Sequence, residues 1–233
     1  MTIKSKIFPI LSSCLLFISL SALLSSCNRP NNISQESNSD KINSNEEVIV
    51  TEKTIPIKKN GDIFAIIEIP AGSVEKWEMN KENGNITRDS INGKPRLINY
   101  LGYPANYGMI PNTMLTKERG GDGDPLDVIV IGKPLVRGTR VKCKIIGVLY
   151  LLDNGEQDDK LIAISVDSPL HKVNDINQLD HEFQGALDII ELWFSNYKGP
   201  GKMISNGYGR RANAIAILDS AIEQYNSIKE IGS

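Results

Sequence analysis

Gly120-Gly121-Asp122-Gly123-Asp124-Pro125-Leu126-Asp127-Val128-Ile129-Val130-Ile131 is the stretch on which the reading of this chain turns. Three carboxylates, at 122, 124 and 127, fall within six residues, and a β-branched apolar run follows at once. The run predicts a strand over 127–131. Two carboxylates two residues apart on an extended chain share a face, and a third just past a Pro can converge on the same point. Hard divalent cations such as Mg²⁺ take oxygen ligands of this kind. A solvated acidic turn has the same composition, so the segment alone leaves both readings open. Two calcium motifs do fail. Counting an EF-hand loop from Asp122 puts Leu126 and Asp127 where Asp/Asn and Gly are needed. A GGxGxD repeat needs Asp where Pro125 stands, and no tandem copy is present.

Outward from that stretch, the chain is rich in strand signals. Residues 63–69, 141–152 and 161–166 are further β-rich runs, and residues 74–79 alternate, with Lys76 and Glu78 on one face and Glu75 and Trp77 on the other. Gly, Pro and Asp/Asn turns separate them. Helical periodicity comes late. Over 181–196 it places Phe183, Ala186, Leu187, Ile190 and Phe194 on one stripe, and over 211–225 it does the same with Ala214, Ile215, Leu218, Ala221, Ile222 and Tyr225. Several strands followed by two helices predict an α+β, mainly β fold, a small barrel with helices packed outside it.

A second acidic cluster, Asp153-Asn154-Gly155-Glu156-Gln157-Asp158-Asp159-Lys160, falls in a turn between two strand runs. Alone it is a solvated hairpin loop; together with the first it can complete a site for several metal ions. Lys76, Arg96 and Lys198 stand near element ends, with Tyr103, Tyr107 and Tyr197 as hydroxyl donors. Metal ligands with Lys, Arg and Tyr donors are what the displacement of a phosphoryl group requires.

Composition narrows the alternatives. The 233 residues carry 26 Lys+Arg against 28 Asp+Glu, so no basic excess drives binding to nucleic acid. Hydrophobic residues at 40% exclude a wholly disordered chain, and three Cys with two His are too few for a zinc ribbon or a disulfide scaffold. Neither GxxxxGK[ST] nor GxGxxG is present, which argues against a nucleotide-binding loop. Cys143, in an apolar run, reads as a small buried hydrophobe.

These pieces together resemble the family I (soluble) inorganic pyrophosphatases. Asp122-Gly123-Asp124-Pro125-Leu126-Asp127 fits that family's D-[SGDN]-D-[PE]-[LIVMF]-D pattern. Ile67-Glu68-Ile69-Pro70, the Lys76/Glu78 pair, Tyr103-Pro104-Ala105-Asn106-Tyr107-Gly108, the spacing of Asp153, Asp158 and Lys160, and Tyr197-Lys198 match its other motifs in order. The resemblance implies a five-stranded OB-like β-barrel with flanking helices and Mg²⁺-dependent hydrolysis of pyrophosphate. It implies that Asp122, Asp127, Asp153, Asp158 and Glu68 are metal ligands and that Asp124 is the base. It makes Lys76, Arg96, Tyr107, Tyr197 and Lys198 phosphate contacts, with Arg88 the alternative to Arg96, and Glu78, Tyr103 and Lys160 auxiliary members. Two His that some hexameric members carry are Leu192 and Asn196 here, so a homo-oligomer, a hexamer among the choices, stays an expectation. The rival is an inactive relative that binds phosphate or metal at a membrane; with all six acids present, no decay of the site is visible.

The N-terminus reads separately. Lys4 and Lys6 precede an uncharged, Leu/Ile-rich run to Asn28, and Leu24-Ser25-Ser26-Cys27 resembles the bacterial lipobox. That implies a signal peptide over 1–26, a lipid on Cys27, and an exported, membrane-anchored protein. Residues 28–45 hold six Asn and four Ser and read as a tether within 27–47, leaving 48–233 as the folded domain.

Overall fold

The computed structural model describes residues 62–80, 83–116, 121 and 123–231. The segments read as signal peptide and tether, with Cys27 and Asp122, lie outside them. Five strands make the frame: β1 (Asp62–Ile69), β6 (Asn106–Met109), β7 (Asp127–Ile131), β8 (Arg140–Asp153) and β10 (Lys160–Ser165). They pair in the order β1-β6-β7-β10-β8, and β8 pairs back onto β1, closing an OB-like ring of strands. All of these pairs are antiparallel except β7 with β10. Closure satisfies the edge hydrogen bonds that an open sheet would leave exposed.

Smaller strands decorate the ring. β2 (Trp77–Met79) pairs with β3 (Ile86–Arg88), and β4 (Ser90–Ile91) with β5 (Lys94–Pro95). β9 (Glu156–Gln157) forms a hairpin with the end of β8, and β11 (Met203–Arg210) adds to the other edge of β8. Three helices follow β10: α1 (Ile176–Glu182), α2 (Ala186–Asn196) and α3 (Arg211–Ile231).

The sequence runs at 63–69, 127–131, 141–152 and 161–166 thus form strands within a residue of the expected bounds. Two expectations are corrected. The helix read over 181–196 is two helices, broken where Gly185 takes a left-handed φ of 83°. The break leaves Phe183 exposed instead of on the buried stripe, which is Leu187, Ile190, Trp193 and Phe194. The strand read over 74–79 is only three residues long, with Glu75 in an isolated bridge to Leu97.

Period-two alternation gives the ring two apolar faces. Ile66, Ile129, Ile146, Leu149, Leu151, Ile162 and Ile164 join one cluster with Trp77, Tyr103, Tyr107 and the inner side of α2. Ile63, Ala65, Ile67, Val128, Val130, Leu161 and Ala163 join another, aliphatic at its buried centre, with Cys143 and with Ala214, Leu218 and Ala221 of α3. Cys143 is fully buried, as its apolar surroundings predict.

Candidate active site

The same alternation positions the polar residues. Asp127 precedes Ile129 on β7 and Lys160 precedes Ile162 on β10, while Glu68, two residues after Ile66 on β1, stands where the β1–β6 register slips. Asp153 continues the Leu149, Leu151 series on β8, and Tyr107 precedes Met109 on β6. Each strand of the ring therefore delivers one polar side chain to the face that carries the aromatic cluster.

Lys160 is the centre of the group. Its ammonium is 3% exposed and bonds both Asp127 Oδ2 and Asp158 Oδ1, the latter at 2.6 Å. Burial opposes its charge, but the two carboxylates overcome this and raise its pKa. Burial likewise opposes ionisation of Asp127, yet Lys160, a Tyr107 hydrogen bond and Lys76 hold its carboxyl below the usual range. Asp158 goes the other way: burial and the Asp127 charge outweigh its help from Lys160 and Lys198. Glu68, 5% exposed, is pushed up to about 8, chiefly by burial, although Lys76 and a 2.7 Å bond from the Met79 amide favour its charged form.

The cations form a second tier. Lys76 Nζ lies 5.5 Å from the Tyr107 ring centre and 3.9 Å from Glu78. Lys198 pairs with Asp153. Arg96 bonds Asp89 at 2.9 Å and feels the hydroxyls of Tyr197 and Tyr103. Arg88 instead pairs with Glu75, 3.1 Å away, on the opposite face of the strand from Lys76. Asp124, Asp127 and Asp158 line one small cavity of about 40 Å³ together with Gln157, Asp159 and Ile217. The loop before Asp127 depends on Gly123 at φ 88°. Thr113, whose hydroxyl donates to Ile110 O and accepts from Leu126 N, ties down its far end.

Three supports were not anticipated. Trp193 stacks on Tyr197 with ring centres 4.6 Å apart and 9° between planes, touches Tyr103 at 4.4 Å, and donates to Leu101 O. Asn106 is fully buried; its amide donates to Val130 O and Lys133 O and accepts from the Ala71 and Leu135 amides, joining the turns after β1 and β7 to strand β7 itself. Gly108 lies so close to β1 that a Cβ would stand 1.9 Å from Ile66 O. Each lies in a motif or run the sequence displays, but its partners are dozens of residues away.

The donor set is carboxylate oxygen throughout, which fits a hard divalent cation. Among the described residues no three acidic, His or Cys groups already stand as a metal cage; Asp127 and Asp158 are instead gathered on Lys160.

Comparison with known proteins bears directly on this arrangement. The family model "Inorganic pyrophosphatase" matches residues 65–226, a span that holds every site residue except Cys27. An inorganic pyrophosphatase of Xanthomonas axonopodis is 35% identical over 189 residues, covering 78% of this chain and 97% of its own. That of Halalkalibacterium halodurans is 39% identical over 166 residues, covering 70% and 94%. The solved inorganic pyrophosphatase of Helicobacter pylori superposes with a TM-score of 0.64 at 32% identity, over 75% of this chain and 99% of its own. Fold, sequence and the register of the motifs agree, and the chain belongs to the inorganic pyrophosphatase family.

Proposed function

We propose that this protein hydrolyses pyrophosphate to two phosphates with Mg²⁺ as its metal. The single observation that carries the reading is the convergence of Glu68, Tyr107, Asp127, Asp153 and Lys160, one from each strand of the ring, on one face. Asp127, Asp158, Asp153, Glu68 and Asp122 would hold the cations. Such ions, when bound, offset the charge of pyrophosphate and make water more acidic. The rest falls to the side chains. Asp124 takes a proton from the attacking water, as a general base. The water oxygen bonds one phosphorus while that phosphorus loses its bond to the bridging oxygen, which departs with the other phosphate. Lys76, Arg96 and Lys198, with the hydroxyls of Tyr107 and Tyr197, donate to the phosphate oxygens and stabilise the departing phosphate. Glu78, Tyr103 and Lys160 orient these groups.

The test is phosphate release from pyrophosphate, ATP and p-nitrophenyl phosphate, in millimolar Mg²⁺ and in EDTA. Release from pyrophosphate alone, abolished by EDTA, is expected. Release chiefly from ATP or the ester points to another phosphohydrolase, and none from a folded protein sinks the enzymatic reading.

We further propose that the enzyme works at a membrane, held there by a lipid on Cys27. Support comes from the order of Lys4 and Lys6, the apolar run, Leu24-Ser25-Ser26-Cys27 and the Asn/Ser-rich segment. A multiply acylated Cys gains roughly 0.8 kcal/mol per buried CH₂, enough for lasting attachment. Mass spectrometry of the native protein decides it: a lipidated N-terminal Cys27 is expected, and an unmodified chain retaining Met1 in the cytosol would overturn it. The oligomeric state, for which a homo-oligomer with a hexamer among the choices is the expectation, is read by sedimentation.

A further inference from the structure

The β1–β6 register slips between Ile67 and Ile69, leaving Glu68 as a bulge residue outside the ladder. A bulge re-aims a side chain, here the buried Glu68 carboxylate, but leaves its backbone groups needing partners. The Glu68 carbonyl finds one in Arg137, whose Nε donates to it at 3.0 Å. Arg137 belongs to the turn between β7 and β8, and that turn is itself pinned to β1: Gly138 N donates to Ile67 O, and Ile67 N to Thr139 O.

The same guanidinium reaches a second element. It stacks on the Trp77 ring at 3.9 Å and bonds Glu75 Oε2 at 3.4 Å. Glu75 Oε2 also accepts from Trp77 Nε1 at 3.1 Å. Glu75 and Trp77 flank Lys76 and face away from it, so whatever holds these two residues sets where Lys76 points.

We propose that Arg137, with Glu75 and Trp77, is a positioning device: it fixes the Glu68 bulge and the Lys76 strand relative to one another, and so the spacing between an acid and a cation of the site. The assignment rests on the pyrophosphatase reading for its kinetic consequence but not for its structural one. A planar guanidinium can stack and donate along two directions at once; an ammonium cannot.

Arg137→Ala, Arg137→Lys and Glu75→Gln test it. Arg137→Ala should lower kcat/KM for pyrophosphate about 10-fold, the scale of a small misplacement of reacting groups. It should weaken binding of methylenediphosphonate, an uncleavable analogue, measured by calorimetry in Mg²⁺. Arg137→Lys should recover only part of both. Glu75→Gln should act in the same direction, and its combination with Arg137→Ala should cost less than the two separately, as members of one network do. Amide exchange at Met79, whose N–H holds the Glu68 carboxylate, should quicken in Arg137→Ala. A lowered melting temperature with unchanged kcat/KM, analogue affinity and Met79 exchange makes the cluster purely structural and overturns the proposal. Inactive wild-type protein overturns the pyrophosphatase reading instead. Met79 exchange then still decides the device: quickening in Arg137→Ala upholds it and unchanged exchange overturns it.

Discussion

The two faces of the strand ring are built by neighbouring residues of the same strands, yet they do opposite work. One face has an aliphatic buried centre, with Tyr150 packed at its margin, and is covered by Ala214, Leu218 and Ala221 of α3. The other begins as apolar packing, gains a cluster of aromatic side chains around Tyr103 and Trp193, and ends in carboxylates and Lys160. A closed ring cannot shift one strand's register without flipping that strand's side chains to the wrong face. Packing on the aliphatic face thus holds the charged residues opposite it in place. Stability and chemistry should therefore separate by face when residues are changed one at a time.

The largest effects belong to the charged end. Asp127→Ala should remove turnover, more than about 10³-fold, and metal binding with it, since the change deletes both a proposed ligand and one of the two partners of Lys160. It should also destabilise the protein, because a buried ammonium loses half its pairing. Asp124→Asn should lose about 10²–10⁴-fold in turnover, the range for a removed base, with metal binding, read by calorimetry, falling far less. Near wild-type turnover of Asp124→Asn at saturating Mg²⁺ would take the role of base away from that residue.

On the aliphatic face the expectation reverses. Leu218→Ala, at a fully buried position of α3, should cost about 2–5 kcal/mol in urea unfolding. Its kcat and KM at 25 °C should stay within twofold of wild type. A kinetic defect comparable to the stability loss would mean that the two faces are not separable.

How much of this could be read beforehand follows the same division. The carboxylates were legible because Asp122–Asp127 and Asp153–Lys160 are local clusters, and four strands of the ring because their apolar β-branched runs are local too; β6, a short strand inside the Tyr103–Gly108 motif, carries no such run. The break between α1 and α2 was not, since Gly185 has no sequence mark separating a helix interior from a hinge. Trp193, Asn106 and Arg137 were passed over because their partners, Leu101, Lys133 and Glu68, are brought to them only by closure of the ring. Arg96 could not be told from Arg88 by counting residues. In the fold Arg88 pairs with Glu75 and Arg96 with Asp89. Arg96→Ala should accordingly raise KM for pyrophosphate about 10-fold, and Arg88→Ala should change it less than about threefold. Steady-state kinetics that reverse this order would exchange their roles.

The smallest effect is expected at Cys143, and it sharpens the comparison most finely. The thiol is fully buried on the aliphatic face between β1 and β10 neighbours, and burial pushes it up to about 12. The thiolate is the species that iodoacetamide attacks, so at pH 8 the folded protein offers neither access nor the reactive form. Alkylation of the peptide containing Cys143 should then proceed only through opening of the ring and should track global unfolding, while pyrophosphatase activity stays intact until that peptide is modified. Since the unfolded thiol ionises near its ordinary pKa, the unfolded state alone sheds this proton as pH rises past about 9, so stability should fall with rising pH there. Leu218→Ala should speed the alkylation in proportion to its loss of stability. Asp124→Asn, on the charged side, should leave it unchanged. Rapid alkylation in the fully active wild-type enzyme would show that the aliphatic face opens on its own, and that the site does not depend on the packing behind it.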